Sequence, residues 1–180
     1  MAAWADSHAV SLVGLSEHHG TGDGYCSSPL LLAGMMAART NRVRIAVSAL
    51  LVPLHDPIRL AEDIALLDLM SEGRFLAVAG LGYREVEYQA FGVDWRNRGP
   101  VFDEKLAVLL RALAGEEVHY RGAAARITTP CVRDPQRLIA VGGNSAAAAR
   151  RAAKFRLTFS PGVDDPQLAV GDGTKAADQY

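Results

Sequence analysis

The chain alternates strand-like and helix-like segments, and this alternation limits its fold more than any other feature of its 180 residues. Residues 43–52 are nearly all apolar and start with β-branched side chains, which is typical of a strand buried on both faces of a parallel sheet. Asp56 and Pro57 then predict a helix start, as N-cap and first helical residue, and Gly73 predicts its end. Because parallel strands need crossover connections, the pattern predicts an α/β fold with helices wrapped around a parallel sheet.

The alternation of a strand with a helix repeats about five times along one predicted domain, residues 1–160. The same reasoning places strands at residues 10–15, 74–80, 138–141 and 156–159, helices at residues 4–8, 28–39, 102–113 and 146–154, and short β-like pieces around Gly122. Residues 161–180 differ, because they are rich in Asp, Gly and Gln and lack apolar periodicity. We expect a disordered C-terminal tail there.

Composition narrows the class of protein. A formal net charge of −1 without a basic stripe argues against a nucleic-acid binder. The apolar runs are short and broken, and the N-terminus lacks the features of a signal peptide, so we expect a cytoplasmic protein without a membrane span. Cys26 and Cys131 lie far apart, with no CxxC motif and no histidine at metal-ligand spacing, which predicts two free thiols and no metal site.

Three titratable side chains, Glu17, His18 and His19, follow the apolar run at residues 10–15. Side chains just beyond the carboxyl end of a parallel strand face the ligand crevice of α/β enzymes. An imidazole titrates near about pH 6.5 and therefore suits proton transfer at neutral pH. On these residues alone, a purely structural role for the histidine pair stays equally open.

A second candidate feature is the turn Gly142-Gly143-Asn144-Ser145, which lies between a predicted strand and a predicted helix. Glycines let the backbone approach an anion closely, and the N–H groups and dipole of a helix N-terminus can hold it. The same turn also fits a plain helix cap through Asn144 or Ser145. The Gly80-Leu81-Gly82 turn is no dinucleotide fingerprint, because Glu85 stands where the third glycine of GxGxxG belongs.

Four stretches, taken in this order, resemble the luciferase-like flavin monooxygenase family, which includes bacterial luciferase and the F420-dependent oxidoreductases. They are residues 16–19, residues 57–75, residues 80–85 with 91–93, and residues 141–145. The resemblance implies a TIM barrel, which takes roughly 250 residues when complete. We therefore expect an incomplete barrel of about five to six β-α units that starts inside the first helix and stops near the sixth strand. A partner chain or the tail could cover its open edges, or the chain is a fragment.

The resemblance also implies roles for individual residues. His18 would lie beside the reactive edge of the flavin, with Glu17 placed to orient it and His19 as its neighbour. Ser48 and Ala49 fall where the family has a non-prolyl cis peptide under the flavin ring. The implied cofactor contacts are Gly80, Leu81, Gly82 and Tyr83 at the ring, and Gly142, Gly143, Asn144 and Ser145 at the phosphate.

One position departs from the family pattern. In bacterial luciferase the residue that matches Leu81 is an arginine, which contacts the flavin phosphate. This contact is absent here, and Arg84 is the nearest candidate substitute.

Two functions from different classes stay open. In the first, the chain is a flavin-dependent oxidoreductase or monooxygenase that uses reduced FMN and O₂, or F420 instead, on a small organic substrate, with a flavin reductase as a candidate partner. In the second, it is a shortened, non-catalytic flavin-binding or interaction protein. Retention of Glu17-His18-His19 favours the first, and the missing strands favour the second. Unclosed sheet edges and an apolar helix at residues 30–38 also predict a homo-oligomer.

Overall fold

The structure, a computed structural model, describes residues 1–22 and 24–161. Its helices are α1 (Ala2–Ser7), α2 (Pro29–Ala37), α3 (Pro57–Met70), α4 (Glu85–Ala90), α5 (Arg98–Leu113), α6 (Pro135–Leu138) and α7 (Ala146–Phe155). Its strands are β1 (Leu12–Leu15), β2 (Arg44–Leu50), β3 (Phe75–Ala79), β4 (Val118–Tyr120), β5 (Ala123–Ala125), β6 (Ile139–Gly142) and β7 (Thr158–Ser160). Residues 162–180 of the predicted tail lie outside the described residues.

Five parallel strands form the main sheet in the order β1-β2-β3-β6-β7, and β4 and β5 form a separate antiparallel hairpin. Each strand of the main sheet therefore lies beside the one that precedes it within the sheet, with helical segments in the connections. This succession is how a (β/α) barrel is built, and it confirms the predicted fold class. Within the described residues, β1 and β7 each pair with a single neighbour.

Helix α3 shows how the local sequence sets the fold. The Asp56 carboxylate accepts hydrogen bonds from the N–H groups of Ile58 and Arg59, at 2.9 and 3.2 Å, and so caps the helix as predicted. Leu60 and Ile64 then fall on one face and are fully buried. Together with the buried face of α5, this face forms the main core against the sheet.

Helices α4 and α6 were not predicted from the sequence. Both are short, at six and four residues, so neither repeats its apolar face often enough to produce a helical period. Helix α4 is nevertheless well anchored, because Tyr88 is fully buried and its ring packs edge-on against Trp95. It carries buried Glu87 to the end of the sheet where the candidate site lies.

Two further predictions can be compared with the described residues. Cys26 and Cys131 are both free, as predicted, and burial raises the pKa of Cys131 to about 11. From residue 1 to 22 and from 24 to 161, no helix has both the length and the apolar character needed to cross a bilayer.

Candidate active site

A pocket of about 580 Å³ opens at the carboxyl ends of β1, β2, β3, β6 and β7. This volume lies within the usual range of small-molecule sites. Every predicted site residue except His19 lines it: Glu17, His18, Ser48, Ala49, Gly80, Leu81, Gly82, Tyr83, Gly142, Gly143, Asn144 and Ser145. The sheet therefore brings together residues that are more than a hundred positions apart in the sequence.

The floor of the pocket is formed where β2 and β3 meet. The β2–β3 register shifts between Ser48 and Leu50, and the Ser48-Ala49 peptide is cis, as expected from the family resemblance. Ala49 points at Gly80 so closely that a Cβ at residue 80 would lie 2.4 Å from the Ala49 Cβ. Glycine is required at position 80 by this close approach, and both Ala49 and Gly80 line the pocket.

The far wall is the turn that leads from β6 into α7. Ser145 is the N-cap of α7, and its hydroxyl accepts a hydrogen bond from the Ala148 N–H at 3.3 Å. Gly143 has a φ of +144°, and a Cβ there would lie 3.0 Å from the Ala148 Cβ. The predicted cap at Ser145 is thus present, and the N-terminus of α7 borders the pocket.

Arg151 is a pocket residue that the sequence reasoning missed. Its Nε donates to Asp103, its guanidinium lies 4.6 Å from the Phe102 ring centroid, and its side chain is only 12% exposed. Lys154 shares the same Asp103 carboxylate at 3.0 Å, so the cluster of two cations and one carboxylate carries a net positive charge. The helical spacing could have predicted this position, because residue 151 shares a helix face with Ala147 and Ala148, directly after the glycine turn.

Glu17 is buried, with 1% exposure, at the centre of a hydrogen-bond network. Its Oε1 contacts the Nε2 atoms of His19 and His55, at 2.9 and 2.7 Å, and its Oε2 accepts the Leu51 N–H at 2.6 Å. The expectation that Glu17 orients His18 is therefore wrong, because His19 and His55 occupy its carboxylate. His55 stands in no motif of the sequence, and the 3₁₀ turn Val52–Leu54 places it beside Glu17.

The charge of Glu17 is favoured by this network. Burial alone would raise the pKa of Glu17, but the hydrogen bond and charge of His55, the Leu51 N–H and the hydrogen bond from His19 together outweigh burial and lower it. His19 belongs to this network rather than to the pocket wall, and its ring packs on Phe91 with centroids 4.5 Å apart.

His18 lies on the pocket wall between two aromatic rings. Its ring centroid is 4.7 Å from that of Tyr25 and 5.9 Å from that of Tyr83, both in edge-on arrangements. Its Nδ1 lies 3.7 Å from Oε1 of Glu87, a second buried carboxylate that the sequence reasoning did not single out. The histidine is thus bordered by two aromatic rings and by a buried carboxylate.

Arg84 does not take the place of the missing arginine. Its Nη1 donates to the His19 carbonyl at 2.9 Å and lies 3.4 Å from Glu87 Oε1, and it is absent from the pocket lining. The expectation that Arg84 substitutes for the arginine lost at Leu81 is wrong. Its guanidinium contacts the His19 carbonyl and the buried Glu87 carboxylate instead of lining the pocket.

Helix α4 stabilises the Leu81 turn through a hydrogen bond. The Tyr88 hydroxyl donates to the Leu81 carbonyl. Burial raises the pKa of Tyr88 to about 12, with Glu87 acting in the same direction and Arg98 and Arg151 against it. The phenol therefore keeps its proton, and its hydrogen bond fixes the strand end that borders the pocket.

Parallel strands in barrel order, with the pocket at their carboxyl ends, define a protein of the (β/α)-barrel class. A family model described as luciferase-like monooxygenase matches residues 1–169. The chain belongs to the luciferase-like monooxygenase family.

Three known proteins illustrate the similarity. The chain is 32% identical to 4-hydroxyprotoasukamycin monooxygenase from Streptomyces nodosus subsp. asukaensis over 117 residues, which is 65% of this chain and 32% of that one. The crystal structure of monooxygenase RslO1 from Streptomyces bottropensis superposes with a TM-score of 0.81 at 27% identity, covering 93% of this chain and 53% of RslO1. The oxygenating constituent of 3,6-diketocamphane monooxygenase from Pseudomonas putida was solved in complex with FMN. It superposes with a TM-score of 0.76 at 23% identity, covering 89% of this chain and 49% of that one. The chain thus spans about a third of the first protein and about half of the two solved structures.

Proposed function

We propose that the chain binds FMN in the pocket at the strand ends and takes part in the oxygenation of a small organic substrate. The observation that carries this proposal is that one pocket joins His18, the close approach of Ala49 and Gly80, and a helix N-terminus with a fixed arginine. The structural neighbour from Pseudomonas putida is an oxygenating protein solved with FMN, which supports the same choice. F420 is the alternative cofactor.

The pocket fits a flavin in shape and charge. Its floor has no side chain at residue 80, and apolar side chains of Leu51, Val78 and Leu81 border the same space, which suits a flat aromatic ring. The α7 N-terminus, the Ser145 hydroxyl and Arg151 suit the phosphate. Reduced FMN, when bound, supplies the electrons that activate O₂, and a flavin reductase is the class of partner that would deliver it.

His18 is the group that we propose moves the proton in this reaction. It lines the pocket, lies against the Tyr25 and Tyr83 rings, and is a residue type that exchanges protons near neutral pH. The hydrogen bonds of Glu17 to His19, His55 and the Leu51 N–H tie the segment that carries His18 to the segment that follows β2.

Arg151 should distinguish FMN from riboflavin, which lacks the phosphate. We expect Arg151→Gln to weaken FMN binding roughly tenfold or more, the usual effect of losing a hydrogen bond to a charged group, and to leave riboflavin binding unchanged. Flavin fluorescence titrations measure both affinities. Arg150→Gln is the matched control, because Arg150 is exposed on the same helix and does not line the pocket. Equal losses for FMN and riboflavin would show that Arg151 acts on the fold and not on the phosphate.

The second candidate function is a non-catalytic flavin-binding or interaction protein of the same fold. It is favoured by the open edges of the sheet, where β1 and β7 each have one neighbour within the described residues. The two candidates differ in one result. Protein that binds FMN and forms no oxygenated product from a panel of small substrates, when supplied with NADH and a reductase, would support the second.

We also propose that a second copy of the chain covers the groove between α2 and α3. Leu31 and Met35 on α2 are 71% and 63% exposed, and the groove they border has a volume of about 580 Å³. Arg59 and Asp63, which have opposite charges, lie 2.8 Å apart on the α3 side of the groove. In a dimer with a two-fold axis, each can therefore face the oppositely charged residue of the other copy.

Light scattering should give twice the 19.2 kDa mass of the chain at micromolar concentration. Leu31→Lys should return the protein to the monomer, because a charge would be buried in the apolar interface. Val132→Lys, at another exposed apolar residue away from the groove, should stay dimeric. A monomeric wild-type protein would contradict the proposal.

A further inference from the structure

Glu87 is a buried carboxylate beside the proposed proton-transfer residue. Glu87 is the third residue of α4 and is 2% exposed. Its Oε1 accepts the His19 N–H at 2.9 Å, lies 3.4 Å from Arg84 Nη1, and lies 3.7 Å from His18 Nδ1. One oxygen of Glu87 thus faces the backbone of His19 and the ring of His18 at the same time.

Among residues 1–22 and 24–161, Glu87 is the carboxylate that lies beside the His18 ring, with Oε1 3.7 Å from Nδ1. Tyr25 and Tyr83 present ring edges or faces, and Arg84 lies against Glu87 and the His19 carbonyl. Glu17 is adjacent in sequence, but its oxygens contact His19, His55 and the Leu51 N–H. Within the part of the chain that the structure describes, the carboxylate beside the His18 ring therefore lies on its Nδ1 side.

A neutral imidazole carries its hydrogen on either Nδ1 or Nε2, and the partner of one nitrogen decides which. A carboxylate near Nδ1 attracts the N–H hydrogen to that nitrogen. The 3.7 Å separation is longer than a hydrogen bond, so in this structure the interaction is electrostatic, and such contacts often tighten when a ligand binds. With the hydrogen on Nδ1, the lone pair lies on Nε2, at the opposite side of the ring.

We propose that Glu87 is a positioning residue that holds neutral His18 with its hydrogen on Nδ1 and leaves Nε2 as the proton acceptor toward the pocket. The use of Nε2 in catalysis rests on the proposed function. The tautomer itself does not, and it can be measured in the protein without a cofactor.

The test is ¹⁵N NMR of the imidazole nitrogens at a pH where the histidines are neutral, with the His18 signals assigned by their loss in His18→Ala. Wild-type protein should show a protonated Nδ1 and an unprotonated Nε2 at His18. Glu87→Gln keeps an oxygen for the His19 N–H but removes the charge, so the ratio of the two tautomers should shift by on the order of tenfold toward Nε2–H. A role limited to holding the His19 backbone would leave this ratio unchanged.

Glu85→Gln is the matched control, since it removes the same charge from an exposed position on the same helix and should leave the His18 tautomer unchanged. A wild-type His18 with its hydrogen on Nε2 would overturn the proposal even if Glu87→Gln failed to fold. An unchanged tautomer in folded Glu87→Gln would also overturn it. Failure of the protein to bind FMN would instead count against the proposed function and leave this result standing.

Discussion

His18→Ala should lower turnover by about 10²-fold or more while the affinity for the flavin stays nearly unchanged. The ring lies on the pocket wall, and its removal leaves the glycine floor and the α7 turn in place. An imidazole that moves a proton in the transition state contributes to kcat and little to ground-state binding. Before a substrate is known, the effect is measured as oxygen consumption driven by NADH and a supplied flavin reductase, after subtraction of the rate without the protein.

His119→Ala is a control for this experiment, because His119 is exposed on the β4–β5 hairpin and does not line the pocket. His19→Ala should cost less turnover than His18→Ala, since His19 contacts Glu17 and Phe91 outside the pocket lining. Equal rates for wild type and His18→Ala, in a preparation with measurable activity, would show that the histidine pair is structural. That result would favour the non-catalytic function.

Glu17→Ala should lower the free energy of unfolding by about 3 kcal/mol. The substitution leaves the buried Leu51 N–H without its acceptor and removes the shared partner of His19 and His55. Urea denaturation measures the loss as a lower midpoint at constant slope. Glu116→Ala, at an exposed glutamate, should change the free energy of unfolding by less than about 0.5 kcal/mol.

The same carboxylate gives the stability of the protein a defined pH dependence. The pKa of Glu17 is lowered in the fold from its ordinary value of 4.5, so its contribution is fully present above that value. It is lost as the pH falls below 4.5 and through the lowered value in the folded protein. Glu17→Gln cannot titrate, and its stability should therefore fall less steeply over this acidic range than that of wild type. Parallel curves for the two proteins would contradict the assigned network.

The sequence was most informative where structure is determined by near neighbours. The cap at Asp56, the alternation of strands and helices and the glycine turn before α7 all depend on residues within a few positions of each other. The shared pocket could also be predicted, since parallel strands end at one edge of the sheet.

Contacts between distant residues could not be predicted in the same way. Glu17 and His55 are 38 positions apart, and their pairing depends on the 3₁₀ turn that follows β2. Glu87 is 68 positions from His19, on a helix too short to produce a helical period. Its carboxylate contacts Arg84, which does not line the pocket, whereas Arg151 reaches the pocket from α7.

Titration of the whole chain with FMN and with F420, followed by flavin or deazaflavin fluorescence, tests the central proposal most directly. Saturable quenching of the fluorescence of one of the two cofactors at micromolar protein concentration is the result expected from a pocket with a glycine in its floor, a helix N-terminus and Arg151. Folded protein that quenches neither cofactor at high micromolar concentration would contradict it.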